Sequence, residues 1–179
     1  GNVVSTFVPV PAATGTVVYN GGSDTTTTRA GDDAANESFR AFWTFDLAKV
    51  RSSEVKQATL KFTHKQTVGD PFSLHNLQLG LNGIRVWIVR YDKASLPRYG
   101  AATIYEVQEL FVPELGGDAL RESPSEYDIT DYVQRIGENM ATDDLVQLMV
   151  GFQKVTNNDG KADYMEWGAV TITVTYAPK

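Results

Sequence analysis

The sequence predicts an all-β fold: one antiparallel β-sandwich, jelly-roll-like, with a single short helix near residues 130–137. Three observations predict it. Apolar and polar residues alternate with a period of two along several runs, as they do where one face of a sheet is buried. Glycine- and asparagine-rich turns separate those runs. The strand–helix alternation that marks a parallel sheet is missing.

Four runs carry the alternation most clearly. Phe39, Ala41, Trp43, Phe45 and Leu47 alternate with Arg40, Thr44 and Asp46, and Phe42 interrupts the polar set. Ala58, Leu60 and Phe62 alternate with Gln57, Thr59, Lys61 and Thr63. Val146, Leu148, Val150 and Phe152 alternate with Gln147 and Gln153, and Val170, Ile172, Val174 and Tyr176 with three threonines. Ile84 to Tyr91 is apolar on both faces, the pattern of a central strand covered on two sides. Weaker strands are expected at Val3–Val10, Thr16–Tyr19, Thr25–Arg29 and Thr103–Val107. Turns are expected at Asn20-Gly21-Gly22, Gly31-Asp32-Asp33, Gly69-Asp70-Pro71, Asn82-Gly83, Gly116-Gly117 and Asn157-Asn158-Asp159-Gly160. Ile129, Val133 and Ile136 fall at helical spacing, with Thr130 or Asp131 as N-cap, Gln134 completing a capping box and Gly137 as a stop.

The composition bounds the function. At 179 residues the chain, 1–179, is long enough for one domain with a substantial core. It is 42% hydrophobic and 21% charged, which is ordinary globular composition rather than that of a disordered chain. Its net charge of −6 leaves no basic face for nucleic acid or for anionic lipid. It has no cysteine, which removes disulfides, thiolate metal sites and thiol nucleophiles. No apolar run is long enough to span a bilayer as a helix. Gly1 runs directly into a β-rich segment with no signal peptide, so the expectation of secretion assumes a leader already removed.

Several pieces follow a recognisable order. Ser38-Phe39-Arg40-Ala41-Phe42-Trp43-Thr44-Phe45-Asp46-Leu47 precedes Val55-Lys56-Gln57-Ala58-Thr59-Leu60, and Tyr127-Asp128-Ile129-Thr130-Asp131-Tyr132-Val133 comes late, before the final strands. Over residues 38–176 this resembles the DNRLRE-type domains of bacterial and archaeal surface proteins. The resemblance implies a jelly-roll-like sandwich, secretion and a place in larger surface or polysaccharide-processing proteins; some such domains bind carbohydrate. In the middle the chain departs from that pattern: Gly69-Asp70-Pro71-Phe72 and a long loop to Leu81 stand in place of a Trp-rich stretch, so no sugar site carries over.

The residues themselves offer few chemical constellations. His64 and His75 lack partners at metal-ligand spacing and read as a strand-end and a loop histidine. No Gly-x-Ser-x-Gly elbow is present. Asp32, Asp33, Glu109, Asp143, Asp144 and Glu166 supply carboxylates for a glycosidase pair, but 22 acidic residues produce chance pairs. Asn157, Asp159 and Asp163 surround a glycine turn with oxygen donors suited to a structural calcium ion, and Gly31-Asp32-Asp33 with Asn36 and Glu37 offers a second such loop. The same residues are also ordinary hairpin chemistry. Trp87, Tyr91, Tyr99, Tyr105, Tyr164 and Trp167 are candidate sugar-stacking rings; Trp43 and Trp87 read as buried, and Tyr164 with Trp167 is the expected ligand-facing pair. Arg40 and Asp46 read as structural residues that pair across to neighbouring strands. The expectation is a non-catalytic extracellular or cell-surface module that binds polysaccharide or cell-surface glycan. A structural or adhesive piece that meets other surface proteins is the alternative, and a hydrolase acting through acidic residues is a remote one.

Overall fold

A computed structural model gives the fold and describes residues 1–72, 80, 81, 83–99, 105, 106 and 125–179. Among these residues eleven strands and one α-helix follow in the order β1 (Val3–Phe7), β2 (Gly15–Val18), β3 (Ser23–Asp24), β4 (Arg29–Asp32), β5 (Ser38–Asp46), β6 (Ser53–Val68), β7 (Ile84–Arg90), β8 (Tyr105–Glu106), β9 (Ser125–Asp128), α1 (Thr130–Gly137), β10 (Leu145–Phe152) and β11 (Asp163–Pro178), with short 3-10 turns at Pro11–Ala13 and Ala48–Val50. Every strand pair is antiparallel. Pairing runs β8-β7-β10-β5-β4-β11-β6-β9, with β2 also on β5 and β1 also on β11.

The sheet doubles over itself because its apolar face must be covered. Trp43 on β5 meets Phe62 on β6 at 5.5 Å between ring centroids and Trp167 on β11 at 5.7 Å, although β4 stands between these strands in the pairing order. The inward residues of the alternating runs (Ala41, Phe45, Leu60, Leu148, Val150, Ile172 and Val174 among them) fill the space between the two halves. This is the all-β, sandwich-like arrangement that the alternation predicts.

Phe42, the residue that breaks the alternation, explains a second core. It faces outward from β5 and packs with Val17, Val89, Tyr91 and Met149. The polar residues that share this covered face are satisfied by one another. Gln147 accepts from Tyr91 N at 3.1 Å, and donates to Thr44 Oγ1 at 3.1 Å and to Tyr91 O at 2.9 Å. Most buried polar groups in folded proteins have such partners, because leaving one unpaired away from water is costly.

Some local expectations are corrected. Of the strand expected at Thr25–Arg29, only Arg29 is extended, as the first residue of β4; Asp24 accepts from Thr26 N, Thr26 Oγ1 and Thr27 Oγ1 and so ties the threonines before it into a turn. Gly31 and Asp32 lie in β4, not in a turn. Gly31 has φ 145°, and a Cβ there would stand 2.1 Å from the Asp163 carbonyl oxygen, so glycine permits the close approach of β4 to β11. Helix α1 forms where expected, but its N-cap is Ile129, whose side chain makes no capping bond, rather than Thr130 or Asp131; just before it Asp128 accepts from Thr130 N at 2.9 Å and Thr130 Oγ1 at 2.5 Å and closes the turn into the helix. Gly137 is the last helical residue, and a side chain there would meet the Ser53 carbonyl. Of the strand expected at Thr103–Val107, Tyr105–Glu106 is described. His75, Asn82, Glu109, Gly116-Gly117 and the side chain of Tyr105 lie outside the described residues.

Gly31→Ala is expected to lower stability by about 3 kcal/mol through backbone strain and overpacking at the β4–β11 contact. Urea unfolding checks it: the midpoint falls while the denaturant slope stays constant.

Candidate functional site

The candidate site lies at the Ser38 end of β5, where β2, the loop after β4 and the loop before β11 converge. It grows from one buried carboxylate. Asp32 at the end of β4 is fully buried. Its Oδ2 accepts from Thr156 Oγ1 at 2.8 Å and Asn157 N at 3.4 Å, and its Oδ1 accepts from Asp163 N at 3.1 Å. Burial is the largest influence on this group and pushes its pKa up, and the neighbouring Asp163 carboxylate adds to the rise against the hydrogen bonds.

The next loop is closed by its own side chains. Asp33 Oδ1 accepts from Ala35 N at 2.8 Å and Glu37 N at 2.9 Å. Asn36 takes a left-handed conformation, φ 59°, and accepts from Gly160 N at 2.9 Å, which ties this loop to the turn before β11. Glu37 accepts from Asn20 N at 2.9 Å, which ties it to the turn after β2.

These three loops enclose an open cleft of about 300 Å³. Tyr19 stands at its edge, 62% exposed. Its backbone N–H donates to Ser38 O at 2.9 Å, and its ring meets the Tyr99 ring edge-on at 5.2 Å. The Tyr99 and Ser38 hydroxyls are 2.9 Å apart, and the Arg40 guanidinium covers the Tyr99 ring at 4.3 Å. An exposed ring held by two fixed neighbours is thus set beside Asn20, Asn36, Glu37, Ser38 and Thr156.

The expected ring pair is divided. Trp167 is 2% exposed and packs on Trp43 and Phe62 inside the sandwich, so it faces the core rather than a ligand. Tyr164 is half-buried, with Phe39 at 5.6 Å and the Arg29 guanidinium 4.9 Å above its ring. Alternation places neighbours at odd and even positions on opposite faces, and a bulge between Glu166 and Trp167 shifts the register. Of the other candidates, Tyr91 is buried in the second core and Trp87 is half-buried against it. Arg40 stacks on Tyr99 and also reaches across to Met149 Sδ of neighbouring β10 at 4.0 Å, whereas Asp46 accepts from Ala48 N, two residues along the chain, rather than from a neighbouring strand.

The calcium-ligand candidates do meet. Asn157 Nδ2 donates to Asp163 Oδ2 at 3.0 Å and to Asp159 Oδ2 at 3.3 Å, while Asp163 Oδ1 accepts from Asp70 N at 2.8 Å. A protein amide thereby occupies the point where the two carboxylates converge. Among the described residues no group of three or more histidine or acidic side chains is placed to hold a metal ion.

No family model matches the chain. No curated protein is similar to it in sequence either.

Other carboxylates are engaged elsewhere. Glu166 is buried beside Arg29 at 2.5 Å, Lys65 at 2.9 Å and Gln66 at 3.0 Å. Burial is the largest single influence on it, but the three donors together outweigh burial and hold its pKa below the usual range. A second cleft, about 390 Å³, opens at the opposite end of β5, around Asp46, Asp143 and Asp144. There Asp144 pairs with Arg51 at 3.1 Å and Asp143 with Arg90 at 3.2 Å.

Sequence reading did not single out Tyr19. The signal was present: an aromatic ring directly before the Asn20-Gly21-Gly22 turn sits where a strand leaves the sheet.

Two of the buried carboxylates, Asp32 and Glu166, give opposite pH dependences. Asp32 has a raised folded pKa, so its favourable contribution is full below the unfolded value near 4 and fades as pH rises through the folded pKa. Glu166 has a lowered pKa, so its contribution is present above the unfolded value and fades as pH falls through the folded one. Across an acid titration of Tm, Asp32→Asn should gain on wild type as pH rises, whereas Glu166→Gln should gain on it as pH falls. Parallel Tm curves for both variants would contradict these assignments.

Proposed function

We propose that this chain is a non-catalytic extracellular binding module that takes a saccharide in the Tyr19 cleft. One observation carries the reading: an exposed tyrosine ring, buttressed by Tyr99, faces an open cleft whose wall is amide, hydroxyl and carboxylate. Apolar sugar faces stack on such rings, and ring hydroxyls of the sugar pair with such walls. The loops are tied to each other before any ligand arrives, so little ordering is needed on binding. The resemblance to DNRLRE-type surface domains, some of which bind carbohydrate, supports the same reading. Glu37 is the only carboxylate in the cleft wall among the described residues, so the pair that a glycosidase uses has no counterpart there.

Tyr19→Ala tests the reading. Tyr19 is exposed, so the variant should keep its Tm, while its affinity in a glycan-array or calorimetric screen should fall by about tenfold or more, the usual cost of truncating an aromatic anchor. Unchanged binding in that variant would remove the cleft from consideration.

A second reading, a structural or adhesive piece of a surface assembly, is favoured by β1. This strand pairs with β11 and, among the described residues, with no other strand, and Val3, Val4 and Val8 along it and just beyond are exposed. An apolar edge of this kind is a template for another strand. If that edge is an interface, sedimentation will show concentration-dependent association that Val4→Lys abolishes. A strictly monomeric wild type would set this reading aside.

A further inference from the structure

We infer that the Tyr19 cleft selects uncharged saccharides and rejects acidic ones such as uronates or sulfated sugars; this rests on the reading of the cleft as a glycan site. The wall contains one formally charged side chain, Glu37. The Asn20 N–H at 2.9 Å and the Glu37 backbone, itself bonded to Asp33 Oδ1 at 2.9 Å, hold it in place. A carboxylate that accepts from a backbone N–H, on a backbone that is itself bonded, is held against swinging away from an incoming anion.

The surroundings reinforce the sign. Asp33 closes the loop that carries Glu37, and Asp32 lies behind Thr156, which lines the cleft. The nearby guanidinium of Arg40 lies against the Tyr99 ring and is not part of the wall. Recognition of a carboxylate or sulfate usually employs an arginine fork, an ammonium or a cluster of backbone N–H groups. The wall offers no arginine or lysine among the described residues. The net charge of −6 adds a repulsion that salt screens only in part at short range. The Asn20 and Asn36 amides both donate and accept, which suits hydroxyls, while the Thr156 hydroxyl gives its one proton to Asp32 and the Ser38 hydroxyl is bonded to that of Tyr99.

Isothermal titration of the full chain with xylo- and manno-oligosaccharides and with oligogalacturonates tests this, using wild type, Tyr19→Ala and Glu37→Gln. The expected result is that a neutral oligosaccharide binds, that Tyr19→Ala loses it, and that oligogalacturonates bind about tenfold or more weaker, with the gap narrowing in Glu37→Gln. Oligogalacturonates that bind wild type as tightly as the neutral sugars, and are lost in Tyr19→Ala, would overturn the charge selection and leave the cleft as the site. Absence of binding by both classes, or binding that Tyr19→Ala leaves intact, would overturn the cleft reading and this inference with it.

Discussion

A sheet with one apolar face is stable only when something covers that face, and here the sheet covers itself. The rings of Trp43, Phe62 and Trp167 meet edge-on across the gap, each from a different strand. Offset and edge-to-face rings fill irregular space well and add attraction beyond the area they bury. Strand β4 is the hinge of the arrangement, since it pairs with β5 of one half and with β11 of the other. A hinge strand must approach its neighbours closely, and Gly31 is the residue that allows it.

The same hinge places the candidate site. Where β4 ends, Asp32 remains inside the protein, and a buried carboxylate requires donors. The donors come from Thr156, Asn157 and Asp163, so the loop before β11 is drawn over the end of β4. That loop then meets the Asn36–Glu37 loop through Gly160, and Glu37 meets the turn after β2 through Asn20. Packing of the core therefore fixes the strand ends, and polar satisfaction at those ends fixes the cleft.

The strong alternating runs were legible because alternation reports burial directly: Trp43, Leu60, Leu148 and Ile172 all face the interior as their positions imply. The helix was legible from Ile129, Val133 and Ile136, each buried against β6 and its neighbours. Other features were set by contacts between residues far apart in the chain. Nothing local distinguishes Gly31 as a close-approach glycine from Gly31 as a turn residue; the distinction is made by Asp163, on a distant strand. The threonine run has strong strand propensity, and Asp24 overrides it with three hydrogen bonds. The site was less legible than the fold. Trp167 reads as a ring beside a polar loop, but it shares the buried face of β11 with Met165. Tyr19 reads as the weak end of a weak strand, and only Tyr99 and the Ser38 backbone give it a fixed place at a cleft.

The division of labour among the carboxylates follows from these constraints. Asp32, Asp33 and Asp163 accept from backbone N–H groups that the loops would otherwise leave without partners, and Glu166 neutralises Arg29 and Lys65 at the bulge. Acids committed in this way hold the shape of the loops whose N–H groups they accept from. Glu37 differs only in where its carboxylate points: it secures the turn after β2 and at the same time forms part of the cleft wall. On the proposed reading of the cleft, the contact that closes the loops would also set the sign of the charge that a ligand meets and so couple fold and selectivity through one side chain.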